Sequence, residues 1–338
     1  MRKLAIAAAL VLAASVSVAQ TPRIVHANVA HAAAAGDLAA QIRGAGTPWV
    51  GYSVPAVDGY HVMCCFQQWG DFRSGGTCRL SDDSSNFSSN DDDLHPAAGS
   101  IAVLYRVANG AVDKIRTYSL DCTLDGTNTS VTWIDGVDPR KSVAFLASLG
   151  TRRGITALAM HGDPSAGERL EAWARSASAD DETRGQAVFW LAETRPERGL
   201  ETARQLVRDS SASRKVREKA VFALSQIKTP AATDELINVA RNANDSHTRG
   251  QAIFWLSQQA GTKAAGAIRD ALDNDEDSSV REKAVFAMSQ LPNDQGIPIL
   301  IDLMKNHRDR NVRRKAAFWL GQKNDPRALD ALEAILRK

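Results

Sequence analysis

The alternation of apolar and polar positions changes character partway along the chain. After Asp138 one phrase recurs as RGQAVFWL, REKAVFAL, RGQAIFWL, REKAVFAM and RRKAAFWL, with a shared alanine at Ala187, Ala220, Ala252, Ala284 and Ala316. The period is about 32 residues. Each period holds two runs of helical spacing split by a Pro, Gly or Asn turn, which predicts a stack of helix pairs. A column of Phe189, Phe222, Phe254, Phe286 and Phe318 lies about 200° around the helix from the alanines. The first helix of each unit is therefore apolar on two sides and has to be sandwiched. The second helices are expected to bury Leu200, Ala203, Leu206 and Val207, then Leu236, Val239 and Ala240, then Ile268, Ala271 and Leu272, then Leu300, Leu303 and Met304. A degenerate copy from Arg153 to Ser176 brings the units to six, and Pro139 to Leu149 reads as an extra helix able to cap the stack at its N-terminal end.

The other columns have physical reasons. Seven residues before each shared alanine stands Asp180, Ser213, Asp245, Asp277 or Asp309, a side chain suited to cap the first helix. Three residues before it stands Arg184, Arg217, Arg249, Arg281 or Arg313. The identical spacing favours a structural part for these arginines over an anion-binding stripe. After the phenylalanine the chain alternates Trp190, Ala223, Trp255, Ala287 and Trp319. Four residues on, the Trp units carry Thr194, Gln259 and Lys323, while the Ala units carry Ile227 and Leu291. Positions i and i+4 share a helix face, so a large ring with a polar neighbour exchanges with a small residue beside an aliphatic one, and the filled volume stays similar. The tryptophans are read as packing rather than as a ligand-stacking stripe.

This phrase resembles the short HEAT-like repeats of bacterial proteins, including those of the phycobilisome lyase type; the likeness covers about 185 residues and rests on an Asp or Ser leading into Val-Arg, then Ala, then an apolar run. The resemblance implies an all-α solenoid over residues 138–338, a hydrogen-bonded ladder of the Asp and Arg columns between adjacent units, and second helices that line a concave surface. On that surface the outward residues Arg204, Arg208, Ile237, Asn238, Arg241, Arg269, Asp270, Ile301, Asp302 and Lys305 are the candidate partner site. Ile237 and Ile301 share a column with Arg204 and Arg269, so cationic and aliphatic contacts would alternate, a surface suited to a polypeptide.

The segment 20–137 has a different composition and matches no recognised family pattern. It lacks glutamate, is rich in Gly, Ser and Asp, and holds every cysteine of the chain. Two strand-like runs, Ile101 to Val107 and Val112 to Leu120, flank Ala108-Asn109-Gly110 and predict a β-hairpin. Trp49 to Val54 and Val131 to Ile134 read as further strands and Ala32 to Ile42 as a short helix, giving a small α+β domain with a mainly antiparallel sheet. The even set Cys64, Cys65, Cys78 and Cys122 argues for two disulfides in an oxidising compartment. Adjacent cysteines rarely pair with each other. That leaves Cys64 with Cys78 and Cys65 with Cys122, or the exchanged partners, each bridge stabilising by about 2 to 4 kcal/mol. A zinc site from His61, Cys64, Cys65 and Cys78 is the sharp alternative, disfavoured by ligand spacing and compartment, so no metal or other cofactor is expected. The acidic run Ser81 to Asp93 lacks the Gly and closing Glu of a calcium loop and reads as a polar loop.

Met1-Arg2-Lys3, an apolar run from Leu4 to Val16 and the small residues before Gln20 predict a cleavable secretory signal over 1–19 and a periplasmic or extracellular location. The apolar run is shorter than a membrane span requires, which excludes membrane insertion of the mature chain. Without Arg2 and Lys3 the net charge of +2 falls to about zero, which removes the electrostatic case for nucleic acid. None of the HExxH, GxSxG, Walker or GxGxxG patterns occurs. The expectation is an exported, non-catalytic scaffold or adaptor for a protein or peptide partner, possible roles being envelope sensing or regulation. An enzyme or metalloprotein with its site in the N-terminal domain, or a structural spacer, are the competing readings.

Overall fold

The computed structural model describes residues 21–59, 64, 77–81, 99–259 and 262–337. The signal segment 1–19, His61, Cys65 and positions 82–93 of the acidic run lie outside the described residues. The chain divides into two compact units, a sheet unit reaching Phe145 and a helical unit from Leu146 onward.

The sheet unit contains β1 (Ile24–Ala33), α1 (Leu38–Arg43), β2 (Trp49–Pro55), β3 (Cys78–Arg79), β4 (Ser100–Ala108), β5 (Ala111–Ser119) and β6 (Leu124–Asp135). Strand order is β1-β6-β2-β4-β5, with β3 also on β6. The expected hairpin is β4 and β5, turned by Asn109 and Gly110, both at positive φ, a conformation that Asn-Gly adopts at little cost. The sheet is mixed, not mainly antiparallel, because β6 pairs in parallel with β1, β2 and β3. Ala32 and Ala33 end the strand β1 and the helix begins only at Leu38. The alanines of IVHANVAHAA favour helix locally, and pairing with β6, Val29 opposite Val131, overrides that preference.

One face of the sheet buries Trp49, Leu80, Leu104, Tyr118, Leu124 and Trp133. Gly51 is required there, since a Cβ would stand 2.8 Å from the Trp133 ring. The disulfide joining Cys64 to Cys122 is attached to this cluster, which excludes the pairing of Cys64 with Cys78; Cys78 is itself disulfide-bonded. On the other face the Tyr52 hydroxyl is hydrogen-bonded to Tyr105 at 2.5 Å and to Ser142 at 2.8 Å, and burial pushes its phenol up to about 12. Ser142 and Phe145 belong to α2 (Pro139–Ser148), and the Phe145 ring lies 5.3 Å from Tyr105. These contacts explain why the sheet unit extends past Asp138: the first turns of α2 complete its second apolar face.

In the helical unit six helix pairs follow one another among the described residues: α3 (Thr151–Met160) with α4 (Pro164–Arg175), α5 (Asp181–Thr194) with α6 (Pro196–Arg208), α7 (Arg214–Gln226) with α8 (Pro230–Asn242), α9 (Ser246–Ser257) with α10 (Thr262–Asn274), α11 (Ser278–Ser289) with α12 (Asn293–Asn306), and α13 (Arg310–Gly321) with α14 (Pro326–Leu336). Asp180, Ser213, Asp245, Asp277 and Asp309 cap their helices by accepting backbone N–H bonds. Each first helix packs on its partner and on the next first helix, and the shared alanines are fully buried. Inter-unit burial is visible column by column: Ile297 and Leu303 are buried, whereas Leu329 and Ile335, in the same columns of the last pair, are exposed.

Alternation of the repeat phrase makes two kinds of junction. Where a Trp unit is followed by an Ala unit, the phenylalanines stack, Phe189 on Phe222 at 5.7 Å and Phe254 on Phe286 at 6.3 Å. Where an Ala unit precedes a Trp unit, phenylalanine meets tryptophan, Phe222 with Trp255 at 4.8 Å and Phe286 with Trp319 at 5.0 Å. Gly185 and Gly250 stand where the next unit's Lys219 and Lys283 cross them, with 2.7 and 2.5 Å left for a Cβ. RGQ followed by REK is thus a matched pair of surfaces.

Within a pair, Gly199 brings α6 against α5, and a Cβ there would lie 2.5 Å from Ala192 Cα and 2.6 Å from its backbone nitrogen. Backbone cannot yield as a side chain does, so Gly199→Ala is expected to destabilise by roughly 1 to 3 kcal/mol. Urea unfolding followed by circular dichroism measures this, and an unchanged midpoint would mean that the two helices are not in this contact.

Candidate functional site

The structure gives the arginine columns definite partners. Arg249 forms a two-bonded pair with Asp275 at 2.8 and 3.0 Å, and Arg281 one with Asp309 at 2.9 and 2.8 Å. Arg184 and Arg217 approach Asp209 and Asp245 at 3.9 Å. The same guanidinium groups donate to carbonyls where the chain leaves a second helix: Arg249 to Ala243, Arg281 to Glu276 and Arg313 to His307. They satisfy oxygens that have no partner within the helix and tie one unit to the next.

On the second helices the candidate residues fall on one face running from α6 to α12, but they are less free than an outward position suggests. Arg204 and Arg208 both donate to Glu235 of the following unit at 3.0 Å, and Asn238 donates to it at 3.3 Å. Arg241 donates to Asp270 at 3.0 Å. Arg269 pairs with Asp273 at 3.0 Å and reaches Asp302 at 3.9 Å. Ile237 and Ile301 are half-buried and Lys305 is exposed. The alternation of cation and aliphatic side chain therefore becomes an alternation of neutralised ion pair and aliphatic side chain.

Two residue sets were missed in the sequence. Glu235 is buried and central to its cluster; the signal was a single acid beside the apolar stripe of α8, with arginines one unit upstream. The second set is Asn242, Asn274 and Asn306, the last residues of α8, α10 and α12, 22 residues past Ala220, Ala252 and Ala284. Their constant spacing is legible in the sequence. Two cavities open beside these residues. One of about 280 Å³ is lined by Arg208, Asp209, Arg217, Asn238, Asn242 and Thr248. The other, of about 320 Å³, is lined by Arg269, Asp273, Asn274, Asp302, Asn306 and Arg308.

In the sheet unit, Cys64 and Cys78 are both oxidised. They cannot serve as zinc thiolates in this state, which removes two ligands from the alternative metal site. Among the described residues no helix is long and apolar enough to cross a membrane.

A family model described as HEAT repeats matches residues 167–257 and 265–338. The helical region belongs to the HEAT-repeat family, and the sequence resemblance is confirmed on that region. No curated protein matches the chain. Solved structures similar to it include human deoxyhypusine hydroxylase in complex with glycerol, at 16% identity and a TM-score of 0.28 over 58% of this chain and 90% of that one. The complex of CpcE and CpcF of phycocyanin lyase from Nostoc sp. PCC7120 has 20% identity and a TM-score of 0.32, over 58% of this chain and 80% of that one. The Cnd3–Cnd2 subcomplex of S. pombe condensin has 20% identity and a TM-score of 0.33, over 57% of this chain and 27% of that one. Likeness at this level carries no functional argument. The HEAT solenoid is a scaffold consistent with protein binding.

The ion-pair cluster and the caps each make a measurable demand. Replacing Glu235 by Ala leaves Arg208 without its acid and Arg204 with Glu201 alone. Because Arg208 is more than half exposed, the cost is well below that of a fully buried pair, about 1 to 2 kcal/mol, and Arg208→Ala costs less than Glu235→Ala in the same urea titration. Hydrogen bonds from Ser279 and Ser246 hold the Asp277 carboxyl down at about 2, and N–H bonds from Thr183 and Asn311 lower Asp180 and Asp309 below 3.8. Carboxylates depressed in the folded state stabilise it above their unfolded value and lose that contribution as protons are taken up on folding's acid side. The helical signal should hold down to about pH 4 and decline toward pH 2, and Asp277→Ala should move the decline to higher pH.

Proposed function

We propose that the protein is an exported, non-catalytic scaffold that holds a polypeptide on the second-helix face of its HEAT solenoid, outside the cytoplasm. The observation that carries the reading is the continuous face from α6 to α12, where ion pairs such as Arg204 with Glu235 and Arg241 with Asp270 bridge successive units and leave Ile237, Ile301 and Lys305 between them. Neutralised charge beside aliphatic side chains suits a protein surface better than a polyanion. Export is supported by the signal-like residues 1–19 and by the Cys64–Cys122 disulfide, since such bonds persist in oxidising compartments. A role as envelope sensor or adaptor follows from that location together with a binding face.

The face is tested by site-specific photocrosslinking in cells from Ile237, Ile301 and Lys305. The expected result is a discrete adduct common to these positions and missing from Lys228, which is exposed in the turn between helices. Adducts with the same abundant proteins at every position would favour a spacer instead. Charge reversal at Arg204 is unsuitable as a test, because it would set a second carboxylate against the buried Glu235 and lower stability by itself. Sequencing of the mature N-terminus, expected at Gln20, together with a thiol count expected to be zero before reduction, checks export; free thiols in a full-length cytoplasmic chain would reject it.

A further inference from the structure

Phe318, Leu329 and Ile335 are the large apolar side chains left exposed among the described residues, at 54%, 59% and 41%, and all three belong to the last described pair, α13 with α14. In earlier units the same columns are covered by the unit that follows. Phe189 and Phe254, which like Phe318 precede a tryptophan, are stacked on Phe222 and Phe286, and Ile297 and Leu303 are buried. The polar columns show which other residues share this end face. Gly185 and Gly250 meet Lys219 and Lys283 of the next unit, so Arg314, in the glycine column, stands at the same boundary. Arg204 and Arg269 reach Glu235 and Asp302 of the next unit, and Glu333 has their place, 17 residues past its alanine. Arg314 is exposed and has no ion pair among the described residues. Glu333 is paired within them only with Arg337, one turn on and itself exposed.

Arg314 decides what can cover the face. A further REK unit is unsuited, because its lysine would cross an arginine where glycine elsewhere leaves 2.7 or 2.5 Å for a Cβ, and the two charges repel. The occupant has to bring apolar side chains to Phe318 and Leu329 and an acid to Arg314. The same face of a second copy brings both. Only Gln322 to Asp325 join α13 to α14, so the two helices run antiparallel. Phe318 is three residues before the end of α13 and Leu329 three after the start of α14, which places each about 4.5 Å along its helix from the turn. Arg314 and Glu333 are each seven residues away, about 10.5 Å. A two-fold axis parallel to the helices preserves these heights and lays α13 of one copy on α14 of the other. Phe318 then faces Leu329 of the partner subunit and Arg314 faces Glu333 of the partner subunit, and symmetry makes each contact twice. A two-fold across the helices sets α13 on α13 and α14 on α14, so that arginine and glutamate never face each other.

We infer that the end face of α13 and α14 binds a second copy of this chain about a two-fold axis parallel to the helices, with Phe318 against Leu329 of the partner subunit and Arg314 paired with Glu333 of the partner subunit. The contact is closed, since each copy has one such face among the described residues, and it ends at two chains. It does not depend on the second-helix face binding a polypeptide.

Sedimentation equilibrium of the full-length oxidised protein is expected to show monomer and dimer in exchange, half-associated at a concentration on the order of 10 μM, as suits a small interface. Phe318→Glu/Leu329→Glu is expected to abolish the dimer while the helical circular dichroism signal and thermal midpoint stay close to those of dilute wild type. Arg314→Glu and Glu333→Arg should each weaken association about tenfold, and the two together should restore it, because the exchanged pair keeps its attraction. These charge variants serve if the double glutamate folds poorly. Photocrosslinking in cells from position 318 should give an adduct of twice the chain's mass. A protein that stays monomeric up to about 200 μM overturns the inference. So do dimers indifferent to Phe318→Glu/Leu329→Glu, and charge variants whose defects add instead of cancelling. Crosslinking from position 318 to a different protein alone overturns it as well and assigns the face to that protein.

Discussion

A helix pair of this protein cannot hide its own apolar surface, and the rest of the helical region follows from that constraint. The first helix of each unit is apolar on the alanine side and on the phenylalanine side, so one partner helix leaves half of it uncovered. Burial comes from the next unit. Leu303 is buried where a unit follows and Ile335, in the same column, is exposed in the last described pair. Stability is accordingly shared among junctions, and a change at one junction is felt first by its two neighbours.

The junctions are specified at several levels at once. Stacked phenylalanines alternate with Phe–Trp contacts, glycine alternates with a crossing lysine, and the arginine column ties the end of one unit to the next through carbonyls and carboxylates. Agreement among these columns fixes the register of each pair on the next more tightly than apolar contact alone, which is indifferent to small shifts. Such fixed register is what allows single residues of the second helices to recur at constant spacing.

The sheet unit is built on another principle. Its strands bury both faces, one on a cluster that includes the disulfide-bonded cysteines and the other on the Tyr52, Tyr105 and Phe145 group. Strand β6 is its centre, since it accepts three neighbours in parallel. Parallel pairing needs long connections, and the Cys64–Cys122 bond shortens one of them.

The sequence by itself determined the features that depend on near neighbours: the helix pairs, their caps, the 32-residue period, the Asn-Gly hairpin and the buried alanine column, because helical period, capping and turn chemistry act within a few residues. Tertiary structure decided what depends on residues far apart in the chain. Ala32 and Ala33 joined a strand because β6 lies beside them, Cys64 chose Cys122 over Cys78, and the first turns of α2 went to the sheet. Arg204 and Arg208, outward on any helical wheel, turned to Glu235 in the following unit, so their charge is spent within the protein. Periodicity tells which way a side chain leaves its helix; only the packed neighbour tells what it meets there.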